Sequence, residues 1–351
     1  MTFPTSPEEI LKEFNSLFIK VRFGIITVFS IMYVLAINAY HDSFLYKIIA
    51  SLAYVVVISI FLIRQNCKHK KYLKYFNDMS KQYTFLVENS PETTHAKKYQ
   101  QQLDAIEKGL KNNEFVLYYQ VQVNTDRKII GAEALLRWVH PEKGLVQPNS
   151  FLPLIEDHYL IIAIGEWVIK EALNQIKAWG TLGLYLPISI NLGAKQLQQL
   201  DFIKKLIPLL EPYAEQVKLL KFEILETSAL LDISHIIRVM TSCKELGIGF
   251  ALDDFGTGYS SLSYLNIFKL DYLKIDQSFV RNLEISPNDI TLCEAIIVMA
   301  HKLGMTIVAE GIETEYQAQL LFNAGCDIGQ GYLFSRPVPP AQFILAFYPN
   351  L

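Results

Sequence analysis

The chain has 351 residues, 51% of them hydrophobic, and a formal net charge of −3. That length admits one large domain plus extra segments, and the charge balance excludes a general affinity for nucleic acid polymers. The four cysteines, Cys67, Cys243, Cys293 and Cys326, stand far apart with no CxxC pair, which argues against a structural zinc site and fits a reducing compartment.

Residues 1–22 are mixed in character and end with Lys12, Lys20 and Arg22 as their basic residues. Phe23 to Tyr40 then runs without a charge, His41-Asp42-Ser43 forms a minimal turn, and Phe44 to Ile63 is apolar apart from Lys47. Each run approaches the ~20 residues that cross a bilayer, and Lys47 can snorkel to the interface. Arg64, Lys68, Lys70, Lys71 and Lys74 follow with no acid among them. Positive charge thus flanks both outer ends, and the pattern predicts a transmembrane helical hairpin over 23–63 with both termini in the cytoplasm. A buried hairpin of a soluble protein is one alternative. A cleaved signal peptide is another, with only Ala36 and Ala39 to make a poor cleavage site. Residues 64–95 read as a juxtamembrane connector. Leu73, Phe76, Tyr83 and Val87 fall near heptad spacing there, which fits either a helix pairing with its copy in a dimer or a plain connector.

The main domain is expected over 96–351. A helical stretch with Leu103, Ile106 and Leu110 leads to Glu114. Strands are then predicted at 115–121, 129–137, 187–192, 219–226, 249–254, 272–276, 306–309 and 327–332. Helices are predicted between most of them, at 162–179, 233–246, 292–303 and 315–323. Gly180, Gly247, Gly304 and Gly325 follow helices where a left-handed cap is wanted. Eight strands with intervening helices point to an α/β fold, a (β/α)8 TIM-like barrel. The turn around Asn124-Thr125-Asp126 is too short for a parallel crossover, so the first strand should run antiparallel to its neighbour.

In such a barrel, function gathers at the C-terminal strand ends. Polar groups expected there are Glu133 on the second strand, Asn191 on the third, Glu223 and Glu226 on the fourth, and Asp253 and Asp254 on the fifth. Lys274 and Asp276 come from the sixth, Glu310 and Glu313 from the seventh, and Gln330 from the eighth. Adjacent Asp253 and Asp254, followed by Gly256, Thr257 and Gly258, could be a simple polar turn. Two ionised neighbours repel, however, and that many anions at one mouth need cations. Oxygen ligands alone favour Mg2+ or Mn2+ over zinc.

From about Gln101 to its end the chain resembles the EAL domain of bacterial cyclic di-GMP phosphodiesterases. The resemblance rests on LYYQ (117–120), EALLRW (133–138), NLGAKQL (191–197), FEILETS (222–228), DDFGTGYSSL (253–262), LKIDQSFV (273–280), VAEGIE (308–313) and QGYLFSRP (330–337). It implies a (β/α)8-like barrel with one antiparallel strand that hydrolyses cyclic di-GMP to linear pGpG with two Mg2+ or Mn2+ ions. By resemblance, Glu133, Asn191, Glu223 and Asp253 hold the first metal, and Asp253 bridges to a second near Asp254. Glu310 stands by the attacking water as base or as a ligand through water. Lys274 holds that water and offsets phosphate charge, and Gln330 positions water or metal. Arg137 and Gln120 contact the dinucleotide, and Asp276 belongs with them. Glu226 braces the loop of Gly256 and Thr257, a loop tied in the family to dimerisation and metal occupancy, and Glu313 supports Glu310 from one helical turn away. Departures are few: Val121 replaces a frequent proline, and Ile155 replaces a small residue in FLPLIEDHYLI. The resulting expectation is a homodimeric, multi-pass protein of the bacterial inner (cytoplasmic) membrane with its barrel in the cytoplasm. The alternative is a catalytically silent cyclic di-GMP receptor or scaffold.

Overall fold

Three successive strands begin at Phe115, and helices and strands alternate after them, in a computed structural model that describes residues 91–226, 232–256, 265, 267–283 and 287–349. Segment 1–22, the hairpin expected at 23–63 and most of the 64–95 connector lie outside the described residues. Among the described residues no helix is long and apolar enough to cross a membrane. The chain divides between Tyr99 and Gln100 into two compact units; the second, Gln100–Leu351, carries the barrel.

Helix α1 (Pro91–Lys111) leads into β1 (Phe115–Asn124), β2 (Ile129–His140) and a short β3 (Gly144–Val146). There follow α2 (Leu160–Thr181), β4 (Ile188–Asn191), α3 (Phe202–Leu210), β5 (Leu220–Leu225), α4 (Ile233–Glu245) and β6 (Gly249–Phe255). The second half contains β7 (Tyr272–Ile275), α5 (Gln277–Arg281), α6 (Pro287–Lys302), β8 (Thr306–Ala309), α7 (Glu315–Asn323), β9 (Ile328–Gly329) and α8 (Pro340–Phe347). Neighbours run β1-β9-β8-β7-β6-β5-β4-β2, and a β1–β2 pairing closes the ring, with β3 appended to β2. The strand β1 is antiparallel to both β2 and β9, while the other barrel pairs are parallel. The short turn at Asn124 thus has the consequence expected of it.

The central strands are apolar and buried along their length, as parallel strands covered by helices must be. Phe222 on β5 meets Phe250 on β6 edge-on, with centroids 5.7 Å apart. Around them, α2 presents Leu160, Ile164, Val168, Ala172, Ile176 and Trp179 to the core at helical spacing. Trp179 stacks on Phe343 of α8 with centroids 4.8 Å apart, and Tyr119 of β1 packs against its edge. This aromatic group ties the last helix to the antiparallel strand.

The cap expected at Gly180 moves. Gly180 lies inside α2, and the left-handed residue is Gly183, at φ 82°. The N–H of Gly183 reaches the Gly180 carbonyl and that of Leu184 reaches the Trp179 carbonyl, both at 3.0 Å. This paired closure satisfies carbonyls the helix would otherwise leave open. Gly247, Gly304 and Gly325 do adopt positive φ.

Candidate active site at the barrel mouth

Adjacent residues on a regular strand point to opposite faces, so Asp253 and Asp254 cannot share a site without a break in β6. The structure supplies one. The β6–β7 register shifts between Leu252 and Phe255, and Asp254 takes a left-handed backbone at φ 55°, a conformation that aspartate tolerates better than most residues. Such an irregularity re-aims side chains. Carboxylate oxygens of Asp253, Asp254 and Glu310 come within 4.8 Å of one another.

At the centre is Lys274 of β7, 1% exposed. Its Nζ lies 2.5 Å from Glu310 Oε1, 3.1 Å from Asp253 Oδ1 and 3.7 Å from Glu133 Oε2, and it contacts Glu223 Oε2 directly. One ammonium therefore faces four carboxylates supplied by β2, β5, β6 and the residue after β8. Burial opposes the charge on Lys274, but the carboxylates together outweigh it and hold its pKa well above the ordinary lysine value. The anions are under-compensated. Burial, then Glu133, drives Glu223 well above the usual carboxylate range. Glu310 rises to about 8, chiefly through burial, with Lys274 opposing. Asp254 rises to about 6 through burial and then through Asp253 and Asp276.

A set of amides flanks this cluster. Asn191, exposed at the end of β4, donates to Glu133 Oε1 at 2.9 Å. Gln330 Nε2 donates to Glu133 Oε2 at 2.5 Å and to Gln120 Oε1 at 3.3 Å. The Gln120 amide donates in turn to the Ser335 carbonyl at 2.9 Å. Both ends of this amide, expected to meet a base, are engaged within the protein. Gln122, a residue the sequence reading passed over, donates to Gln330 Oε1 at 2.9 Å. Its signal was its position two residues after Gln120, hence on the same strand face.

Arg137 lies on the face of β2 that carries Glu133. Its Nη1 donates to the Leu136 carbonyl at 2.8 Å, and its guanidinium sits 5.8 Å from the centre of the Tyr118 ring. Asp276, expected among the substrate contacts, caps α5 by accepting the Ser278 N–H at 3.0 Å, and it hydrogen-bonds to Asp254. Glu226 Oε2 accepts the Gly256 N–H at 3.2 Å, while its buried Oε1 has no partner among the described residues. The glycine loop is thus tethered at its first residue; Thr257 lies outside the described residues.

The expectation for Glu313 needs correction. No helix joins it to Glu310, and its side chain is exposed. The intervening Ile312 donates its N–H to the Gln330 carbonyl and accepts from Leu333, which ties this stretch to the β9 loop. Gly331 is the tightest point of that contact. A Cβ there would lie 2.1 Å from the Ile312 carbonyl oxygen. Backbone cannot yield as a flexible side chain can, so Gly331→Ala should cost about 3 kcal/mol, read as a lowered urea midpoint.

The EAL domain family matches residues 103–337. This chain is an EAL-domain protein. Relatives of the EAL domain include the signaling protein YkoW of Bacillus subtilis (strain 168), 42% identical over 239 residues, 68% of this chain and 30% of that protein. The cyclic di-GMP phosphodiesterase PA2567 of Pseudomonas aeruginosa is 38% identical over 229 residues, 65% of this chain and 39% of that protein. The EAL-domain match thus spans between 30% and 39% of these relatives' lengths. Among solved structures, the PaMucR phosphodiesterase in complex with c-di-GMP superposes with TM-score 0.67 at 38% identity, covering 69% of this chain and 99% of that one. An EAL domain protein from Listeria monocytogenes EGD-e gives TM-score 0.64 at 29% identity, covering 71% and 98%.

Proposed function

We propose that this EAL-domain protein is a metal-dependent phosphodiesterase that hydrolyses cyclic di-GMP to linear pGpG and so lowers the level of that second messenger. The observation that carries this reading is the under-compensated cluster around Lys274, with Asp253, Asp254 and Glu310 converging within 4.8 Å. The names of the phosphodiesterase relatives and the c-di-GMP complex of PaMucR support the choice of substrate.

The donor set is carboxylate and amide oxygen, which suits Mg2+ or Mn2+. Glu133, Asn191, Glu223 and Asp253 would hold one ion, and Asp253 with Asp254 a second. When bound, the ions supply charge neutralisation and a water acidic enough to ionise near neutral pH. The protein's own groups do the rest. Arg137, pinned by the Leu136 carbonyl and Tyr118, presents a planar fork to a phosphate. Lys274 holds the attacking water and offsets phosphate charge. Glu310, beside Lys274 and Asp253, takes the proton of that water. The new P–O bond forms as the bond to the 3′ oxygen breaks, the 3′ oxygen is protonated, and a 5′ phosphate remains on pGpG.

In this reading the hairpin at 23–63 anchors the chain in the cytoplasmic (inner) membrane with the barrel inside, and two chains pair through hairpin and connector. The two apolar runs and their basic flanks support it. Deleting residues 1–90 should release the protein from the membrane fraction and change both oligomeric state and turnover; unchanged values for all three would reject the anchor. For the chemistry, the full chain in detergent is titrated with Mg2+ or Mn2+ and pGpG is measured. Formation of pGpG that depends on added metal is the expected result. Dinucleotide binding without pGpG at any metal concentration would mark a silent receptor instead.

A further inference from the structure

Glu133 has both carboxylate oxygens held by amides, and one of those amides is itself held from beneath. In β1, Gln120 stands opposite Glu133, and Gln122 stands opposite Gly131, two pairs deeper into the barrel. Gln122 is 3% exposed, sits where the β1–β2 register shifts, and donates to Gln330 Oε1 at 2.9 Å. The space it needs depends on Gly131, where a Cβ would lie 2.8 Å from Gln122 Oε1.

We propose that Gln122 is a positioning residue that sets the orientation of the Gln330 amide, and through it the geometry of Glu133, in the metal-dependent reaction. This rests on the phosphodiesterase reading above. A primary amide has one accepting end and one donating end. Gln330 turns its nitrogen toward Glu133 and its oxygen toward Gln122, the orientation a metal-holding carboxylate, which only accepts, requires. Gln122 must therefore donate. The polarity runs one way, from Gln122 to Gln330 to Glu133. It also assigns the Gln120 amide, whose oxygen accepts from Gln330 while its nitrogen reaches the Ser335 carbonyl. A residue at 122 that can only accept would favour the opposite turn of Gln330 and set a carbonyl oxygen against the Glu133 carboxylate. Supports of this kind behind a ligand are typically worth about 10- to 100-fold in metal affinity.

Three variants of the full chain separate direction of donation from mere packing. Gln122→Lys keeps a donor, Gln122→Met keeps size without a hydrogen bond, and Gln122→Glu, assayed at a pH where it is ionised, offers only acceptors. The readouts are the Kd for Mn2+ by calorimetry without dinucleotide, the melting temperature without metal, and pGpG formation at saturating Mn2+. The expected order of Mn2+ affinity is Gln122→Lys close to the parent, then Gln122→Met, then Gln122→Glu, the last weakened about tenfold or more. Gly131→Ala, which crowds the same amide, should weaken Mn2+ binding as Gln122→Met does. Equal Kd values across the variants, or an order that follows melting temperature instead of donor capacity, would overturn the proposal. A parent chain that binds Mn2+ but makes no pGpG would defeat the phosphodiesterase reading and leave the affinity order to decide the role of Gln122.

Discussion

Glu310→Gln is expected to lower cyclic di-GMP turnover by roughly 10²–10⁴-fold at saturating Mn2+, with little loss of stability. The substitution preserves shape and removes the charge together with the capacity to take a proton. The parent carboxylate stands 2.5 Å from Lys274 Nζ and shares that ammonium with Glu133, Glu223 and Asp253. Its pKa of about 8 states that the fold disfavours its ionised form, mainly through burial and despite Lys274. A carboxyl raised in this way contributes its full stability below its unfolded value near 4.5 and loses it as pH rises through 8. Above pH 8 the neutral amide should therefore leave the metal-free protein at least as stable as the parent. Initial rates of pGpG formation and melting curves at pH 8.5 in chelator test both halves. A turnover loss below tenfold would remove Glu310 from the role of proton acceptor, and a large drop in melting temperature would show that the ionised form supports the fold.

The ring of strands was legible because each long strand is an apolar run bounded by glycine or a polar turn, and burial between helices demands that pattern. The short β3 was not. Gly144-Leu145-Val146 buries none of its residues, so no hydrophobic pattern marks it. The candidate site divides in the same way. Carboxylates at strand ends announce themselves by residue type, because anions collected at one end of a barrel have few structural uses. What brings Asp253 and Asp254 together is a local twist of backbone at Asp254 and a slipped register, and an Asp-Asp pair reads the same with or without it. Gln122 was hidden by its neighbours. Between Val121 and Val123 a glutamine looks like an outward polar position, whereas in this barrel the valines face the helices and the glutamines face inward. Glu313 misled in the other direction. A three-residue spacing suggests one turn of helix, but the chain from Glu310 to Glu313 is bound to the β9 loop and has no helical bonds to make. The hairpin at 23–63 rests on sequence alone.

Lys274→Met should destabilise the metal-free protein by about 3–5 kcal/mol at pH 8, lose most of that deficit at pH 5, and regain stability with Mn2+ but not activity. Lys274 is the only cation in contact with Glu133, Glu223, Asp253 and Glu310 among the described residues. Without it, buried carboxylates confront one another with nothing between them, and removing one partner of a buried pair is more costly than the pair was worth. The sign with pH follows from the direction of the shifts. Asp254, at about 6, and Glu310, at about 8, are already raised in the parent, so the stability these two groups contribute is fullest below about pH 4 and is lost as pH rises through each value. Lys274 lowers both Glu223 and Glu310, so its loss moves their titration upward and steepens the decline between pH 5 and 8. A bound dication replaces the missing charge and must displace those protons. Mn2+ should therefore raise the melting temperature of Lys274→Met more at pH 8 than at pH 5, and by more than it raises that of the parent. Turnover should stay low because, among the described residues, no other cationic side chain contacts the cluster to hold the water. Melting temperatures of parent and variant at the two pH values, in chelator and in Mn2+, give the comparison. Parallel pH slopes for parent and variant would show that Lys274 is not what holds the carboxylates together.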